Sequence, residues 1–296
     1  MDFFDPEIID RINSMTKYPS IETYHELGEK GLLKDDKFLP FPPGTKIITE
    51  KVDGTNSRLI FFPENLSYDW TSCAAHQYSL SLLDSNYVIG SREELLYAQG
   101  DKIINPTLSV VETCLPLAER SLKNMSKLDN INLFVVLFVE TFGGTISVGS
   151  KNYTGEKRTS TRLFDVCLID NWEELLSMDK AKIASWRESG GQKFIPETEL
   201  LHWSSIIDCP LTPRLGQVEA LPRGLRETLQ FLQEQTPATN CSLDAQARGK
   251  TEGVVVRTPD RSYIAKMRFE DYERTLRKVD DAEREQRKRM LKGVTE

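Results

Sequence analysis

The stretch "TKIITEKVDGTNSRLIFF", Thr45 to Phe62, decides how the chain reads. Its flanks are rich in β-branched and aromatic residues, and Asp53-Gly54-Thr55-Asn56 supplies turn chemistry between them, so residues 46–62 are expected to form a hairpin. A turn explains Gly54 and Asn56. It leaves unexplained the charged cluster Glu50-Lys51-Val52-Asp53, and above all a lysine beside the turn, in the segment most prone to be half buried.

Working outward, the chain reads as α+β. A short helix is expected over 6–16, a strand over 86–90 ("NYVIG") and a helix over 107–124. The run "INLFVVLFVE" (131–140) reads as a buried central strand from its continuous apolar character, and "TRLFDVCLID" (161–170) as another. Helices are expected over 172–188 and 217–234. Two strands, "EGVVVRT" (252–258) and "SYIAKMR" (262–268), follow, joined by a Pro-Asp-Arg turn. From about 270 the chain reads as one charged helix, with Tyr272, Leu276 and Val279 at 4,3 spacing on one face.

With 296 residues, 39% hydrophobic and 28% charged, the chain can bury a large core and has the composition of a soluble globular protein. "MDFFDPEIID" lacks a basic leader, and no apolar run is long enough to span a bilayer, so a cytoplasmic location without membrane contact is expected. Cys73, Cys114, Cys167, Cys209 and Cys241 are scattered without a C-x-x-C pair, which points to reduced packing residues rather than a zinc site or a disulfide framework. The net charge of −7 excludes a uniformly basic nucleic-acid coat. Local basic patches remain, at "SKNYTGEKRTSTR" (150–162) and "REQRKRMLK" (284–292). Each is either a solvated surface or a contact for a nucleic-acid backbone.

Ionisable groups gather at expected strand ends: Lys51 and Asp53 at the first hairpin, Arg92 after "VIGS", Glu140 closing the most apolar strand, Glu252 opening "GVVVR", and Lys266 with Arg268 closing the last strand. Their order and company matter more than any one of them. Lys51-Val52-Asp53-Gly54-Thr55-Asn56 fits K-x-D-G-x-N and resembles motif I of the covalent nucleotidyltransferases, the superfamily of polynucleotide ligases and messenger RNA capping enzymes. Ser91-Arg92 looks like motif Ia and Glu140-Thr141-Phe142-Gly143-Gly144 like motif III. Leu163-Phe164-Asp165-Val166 resembles motif IIIa, Glu252-Gly253-Val254-Val255-Val256 motif IV and Lys266-Met267-Arg268 motif V. Asn56 and the upstream "KYPSIE" (17–22) resemble the RNA ligase 2 branch; Arg268 stands where that family usually has lysine.

The resemblance implies an α+β nucleotidyltransferase (adenylation) domain over 1–268, with antiparallel sheets flanked by helices, and a short helical C-terminal tail over 269–296. It implies an ATP-dependent RNA ligase that joins 3′-hydroxyl and 5′-phosphate ends of RNA through a covalent lysyl-AMP intermediate, with ATP and Mg²⁺ or Mn²⁺ as cofactors and a role in RNA repair. Lys51 is the implied nucleophile. An ordinary lysine is only about 0.04% neutral at pH 7, a cost of roughly 4.6 kcal/mol that its surroundings must offset. Glu140 and Glu252 are the implied carboxylates for a hydrated metal ion. Lys266 and Arg268, alternating with Met267, would share a strand face and meet the α-phosphate. Phe164 is a candidate to stack on adenine, or else a core phenylalanine. Asn56 and Arg92 resemble positions that contact ribose and the 5′-phosphate of the strand, and Glu50 is counted with the nucleotide-binding set. The tail after Arg268 is too short for an oligonucleotide-binding barrel, so a partner protein supplying strand binding is also considered. Two other readings stay open: a DNA ligase or capping-type nucleotidyltransferase that borrows a domain from a partner, and a degenerate domain that only binds nucleotide or RNA.

Overall fold

A computed structural model describes residues 6–63, 87–96, 109–125 and 132–293. In chain order its elements begin with α1 (Pro6–Met15), β1 (Glu22–Thr23), β2 (His25–Leu27), β3 (Leu33–Phe38), β4 (Lys46–Lys51), β5 (Thr55–Phe61), β6 (Tyr87–Ser91) and β7 (Leu95–Leu96). There follow α2 (Val110–Met125), β8 (Phe134–Gly143), β9 (Thr159–Ile169), α3 (Trp172–Ser177), α4 (Lys180–Glu188), β10 (Lys193–Phe194), α5 (Glu197–Ile207) and β11 (Arg214–Val218). The chain closes with α6 (Leu225–Gln235), β12 (Gly253–Arg257), β13 (Ile264–Arg268) and α7 (Phe269–Gly293). No described helix is long and apolar enough to cross a membrane.

The chain divides into two compact units, one of Met1–Ser20, Val52–Thr212 and Cys241–Gly249, the other of Ile21–Lys51, Pro213–Asn240 and Lys250–Glu296. The first holds a six-stranded antiparallel sheet in the order β10-β9-β8-β5-β6-β7. β8 lies between β5 and β9, and every one of its residues is buried except Glu140. Its apolar run is what a strand covered on both faces requires. The second unit holds a five-stranded sheet, β1-β13-β12-β4-β11, antiparallel apart from the parallel β1/β13 pair, together with the β2/β3 ribbon. Its core joins Ile48, Val254, Val256, Ala265 and Met267 of the sheet to Leu225 and Leu232 of α6 and Tyr272 and Leu276 of α7. Val279, expected on the same helix face, is exposed, as are all residues from Asp281 to Met290.

The mixed α+β architecture with antiparallel sheets and a C-terminal helix is as expected, but three local readings are corrected. The strands on either side of Asp53-Gly54 do not form a hairpin: β4 pairs with β11 and β12, β5 with β6 and β8. The connecting backbone is held elsewhere. Asp53 N–H donates to the Tyr153 hydroxyl at 2.6 Å, the Ser147 hydroxyl donates to the Asp53 carbonyl at 3.1 Å, and Val52 packs with Phe142, Tyr153 and Cys241. Gly54 lies so close to the Thr141 carbonyl that a Cβ would collide with it. Second, Glu140 is interior to its strand, because Thr141–Gly143 continue the ladder opposite Thr159–Thr161. Third, 172–188 is two helices, parted where Asp179 caps α4 by accepting from Lys182 N–H at 2.8 Å, and the residues before Leu225 begin as the edge strand β11 rather than a helix. Asn86, residues 107–108 and 131, and Cys73 lie outside the described residues; Cys114, Cys167, Cys209 and Cys241 are buried thiols.

Candidate active site

Strand register assembles the candidate residues of the second unit. Across β4, β12 and β13 one row reads Lys51–Gly253–Arg268, and the row two residues along reads Thr49–Val255–Lys266, continued by Thr23 of β1. Alternation puts these two rows on one face of the sheet and the intervening row, Glu50–Val254–Met267, on the other. Burial agrees: Glu50, Val254 and Met267 are 0–1% exposed, whereas Lys51, Lys266 and Arg268 are each partly exposed. Gly253 leaves the middle of the first row without a side chain. Its φ of +152° and the closeness of the Met267 carbonyl exclude a Cβ there.

Lys51 Nζ donates to Glu252 Oε2 at 2.6 Å, with both side chains a little under a quarter exposed. The residue that opens "GVVVR" thus aims the lysine while both remain within reach of water. Arg268 grips the buried Asp271 carboxylate through Nε at 2.7 Å and Nη2 at 3.1 Å, and Arg274 Nη2 donates to the same carboxylate at 2.7 Å. Such a fork fixes the guanidinium plane. Glu50, turned to the core face, accepts from the Thr239 hydroxyl and from Asn240 N–H at 2.8 Å, so it anchors a distant loop and does not join Lys51 on its face. Beside Lys266 opens a groove of about 840 Å³ lined by Ile21, Thr23, Tyr24, Phe38 and Leu39, a size usual for small-molecule sites.

The first unit carries a second cluster. β5, β8 and β9 align Asn56, Glu140 and Arg162 in one row. Asn56 Oδ1 is buried without a hydrogen-bond partner, an arrangement that in a folded protein asks for an explanation such as a bound group. Arg162 lies 5.5 Å from the centre of the Phe142 ring. In sequence this arginine ends a basic stretch and opens the strand expected over 161–170; its place opposite Glu140 depends on β8/β9 register and left no local signal. Phe164 is the extra residue of a β9 bulge, since Leu163 pairs with Val139 and Asp165 with Phe138. It is half-buried and meets Tyr18 edge-on at 5.1 Å. Tyr18, in "KYPSIE", donates its hydroxyl to Asp165 at 2.8 Å, and Lys17 pairs with Glu93 at 2.8 Å. Arg92, next to Glu93, is 60% exposed and just past β6. Among the described residues no group of three or more His, Cys, Asp or Glu side chains converges; a largely hydrated magnesium or manganese ion needs only one or two carboxylates.

Among solved structures, the chain resembles a Naegleria gruberi RNA ligase variant with ATP and Mn (15% identity, TM-score 0.44, covering 77% of this chain and 51% of that one) and the same organism's RNA ligase with PPi (14% identity, TM-score 0.46, 89% and 64%). The chain therefore spans between about half and two thirds of those ligases' length. No curated protein matches it. The family described as RNA ligase matches residues 44–276, the span that holds both side-chain clusters from Lys51 to Arg268, and the chain belongs to that family.

Proposed function

We propose that the chain is an ATP-dependent RNA ligase that joins 5′-phosphate and 3′-hydroxyl ends of RNA through a lysyl-AMP intermediate, acting in RNA repair in the cytoplasm. The observation that carries this reading is the shared sheet face of Lys51, Lys266 and Arg268, with Glu252 2.6 Å from the lysine amine. In the first step Nζ of Lys51 gives up its proton and forms a bond to the α-phosphorus of ATP, while the bond to the bridging oxygen breaks and pyrophosphate leaves. The RNA 5′-phosphate then displaces the lysine from AMP, and the 3′-hydroxyl displaces AMP.

This chain's residues have separable parts in that sequence. Glu252 orients Nζ, and their ion pair must open before the amine can attack. Lys266 neutralises charge at the α-phosphate; Arg268, its plane held by Asp271, assists from the same face. Asn56 and Arg92 are assigned to ribose and the RNA 5′-phosphate, and Phe164 to the adenine ring. Glu140 and Glu252 are each proposed as a carboxylate for hydrated magnesium or manganese, which would supply positive charge that disfavours an ammonium and favours a departing pyrophosphate. A partner protein that helps grip the strand is compatible with this reading.

The test is incubation with α-labelled ATP, and in parallel α-labelled GTP, followed by denaturing electrophoresis. Label from ATP that disappears in Lys51→Ala is expected. Asn56→Ala and Arg92→Ala are expected to retain labelling and to lose sealing of a nicked RNA by tenfold or more. Label that persists in Lys51→Ala would overturn the assignment.

A further inference from the structure

Outside these clusters, the first unit gathers cations from two segments far apart in sequence. The strip 241–249 lies along the loop 151–158: Leu243 N–H donates to the Tyr153 carbonyl at 2.7 Å, Arg248 N–H to the Lys151 carbonyl at 3.0 Å, and Gly249 N–H to the Asn152 carbonyl at 3.0 Å. Arg248 is thereby set beside Lys151, and both are exposed, as are Lys157 and Arg158. We propose that Lys151, Lys157, Arg158 and Arg248 form a docking surface for the sugar–phosphate backbone of the RNA to be joined, an assignment that rests on the ligase reading above.

Three observations carry it. The surface has a built scaffold: the Asp244 carboxylate accepts from Gly155 N–H at 3.0 Å, Gln246 N–H at 3.0 Å, Glu156 N–H at 3.3 Å and the Thr154 hydroxyl, stapling the two segments together. That acid is spent on the backbone: the Thr154 hydroxyl and these amides hold it down to about 2, so it stays an acceptor of protein hydrogens at any ordinary pH. Glu156 is the remaining acid between Lys151 and Arg158, and its exposed 2.7 Å pair with Arg158 is the kind that exchanges readily for a phosphate. Second, Lys157 is held at φ +58°, a left-handed conformation unfavourable for lysine, which keeps the tip of the turn in one shape. Third, Val148, three residues before Lys151, is exposed, but between Lys151 and Arg158 and between Asp244 and Gly249 no exposed side chain is large and apolar. Protein-docking surfaces depend on such anchors, whereas a nucleic-acid backbone is met by cations and backbone amides. In a chain of net charge −7, such a gathering of cations is not the average surface.

The experiment measures binding of a 5′-phosphorylated single-stranded RNA 20-mer by fluorescence anisotropy across a potassium chloride series, with self-labelling by α-labelled ATP run on the same preparations. Replacing all four cations by glutamine should flatten the plot of log affinity against log salt by roughly 0.7 for each RNA phosphate that the protein no longer neutralises. Arg248→Gln alone should account for about one such step, although nothing in its local sequence marks it. Asp244→Ala, which keeps every cation but releases the staple, should weaken binding in the same direction; thermal melting of each variant reports whether the fold persists. An unchanged slope in a folded quadruple variant that still takes label overturns the surface alone and leaves it facing a protein or solvent. A wild-type chain that takes no label overturns the ligase reading, and the RNA assignment with it.

Discussion

Lys51 and Arg58 stand in one stretch of sequence, and the molecule treats them oppositely. Lys51 closes a strand, is a quarter exposed, and among the described residues pairs with one carboxylate, which can let go. Arg58 sits inside β5 with no exposed surface. Its partners are fixed dipoles at the C-terminal end of α1: Nη1 donates to the Asn13 carbonyl at 2.9 Å and the Thr16 hydroxyl at 3.0 Å, and Nη2 to the Asn13 side-chain oxygen. Arg187 and Gln192 satisfy the next two carbonyls, of Ser14 at 2.5 Å and Met15 at 3.0 Å. A helix C-terminus leaves carbonyls unpaired and carries partial negative charge, so a buried guanidinium suits it. Gly90 makes the room, since a Cβ there would stand 2.6 Å from Arg58 Nε. Burial pulls the guanidinium down to about 9, which still leaves it charged at neutral pH. The proposed nucleophile keeps water and an exchangeable partner within reach; the architectural cation is sealed among groups that cannot leave.

The largest test of that contrast is at Lys51. Lys51→Ala should lose all detectable self-labelling while its urea midpoint stays near wild type, because an ion pair this exposed contributes about 0–1 kcal/mol. A variant that unfolds would show that Lys51 is structural after all.

Arg58→Met should do the reverse. Losing the guanidinium takes a donor from the buried Thr16 hydroxyl and from the half-buried Asn13 oxygens and removes a fully buried side chain's contacts, for which about 2–4 kcal/mol of lost stability is expected in urea titration. Labelling per folded molecule should hardly change. A Met variant as stable as wild type would break the comparison.

How far all this is legible in the sequence depends on whether the cause is local. The β8 run is legible because continuous apolar character is itself what a doubly covered strand needs, and the alternation Lys266-Met267-Arg268 places two cations on one face without further information. The division of the stretch from Thr45 to Phe62 between two sheets is not legible: Asp53-Gly54 is good turn chemistry, and nothing nearby reveals that β4 pairs with residues some two hundred positions away. Glu140 looks like a strand end because the apolar run stops there, while the ladder continues through polar Thr141. The burial of Arg58 has no local signal in the sequence, since its acceptors belong to the end of a helix that precedes it by more than forty residues. Glu50 reads as part of the site because it adjoins Lys51, although strand alternation sends it to the core.

A third titratable group, this one buried, extends the comparison to pH. His25 accepts from the Tyr272 hydroxyl at Nδ1 (2.9 Å) and donates from Nε2 to the Arg223 carbonyl (2.8 Å), the neutral tautomer that ties β2 to α7. Burial lowers its pKa from the ordinary histidine value of 6.5, with the Arg223 carbonyl and Asp35 opposing. The unfolded chain therefore takes up the proton first, so this contribution is fully present above pH 6.5 and declines as the pH falls below it. Thermal melts at pH 7.5 and 5.5 should show a drop that shrinks in His25→Gln. A drop of equal size in both would mean that other groups control it.

The smallest expected effect is at Arg268, which lies between the two extremes: partly exposed, as Lys51 is, yet doubly bonded to a buried carboxylate like a structural residue. Arg268→Lys keeps the charge on the face shared with Lys51 and Lys266, and the enzymes this chain resembles commonly carry lysine there. What it loses is the fork, because an ammonium cannot make two parallel bonds to Asp271 and still present a fixed plane. Arg274 remains on the same carboxylate at 2.7 Å, so Asp271 is not stranded and the helix start stays anchored. The expected result is a reduction of self-labelling rate within about tenfold, at most roughly 1.4 kcal/mol, with little change in stability. A rise in KM for ATP with kcat unchanged would place Arg268 in ground-state binding; an equal fall in kcat and kcat/KM would place it at the phosphate as pyrophosphate leaves. A Lys variant that unfolds would move Arg268 to the side of Arg58, and its contact with Asp271 would then be architecture alone.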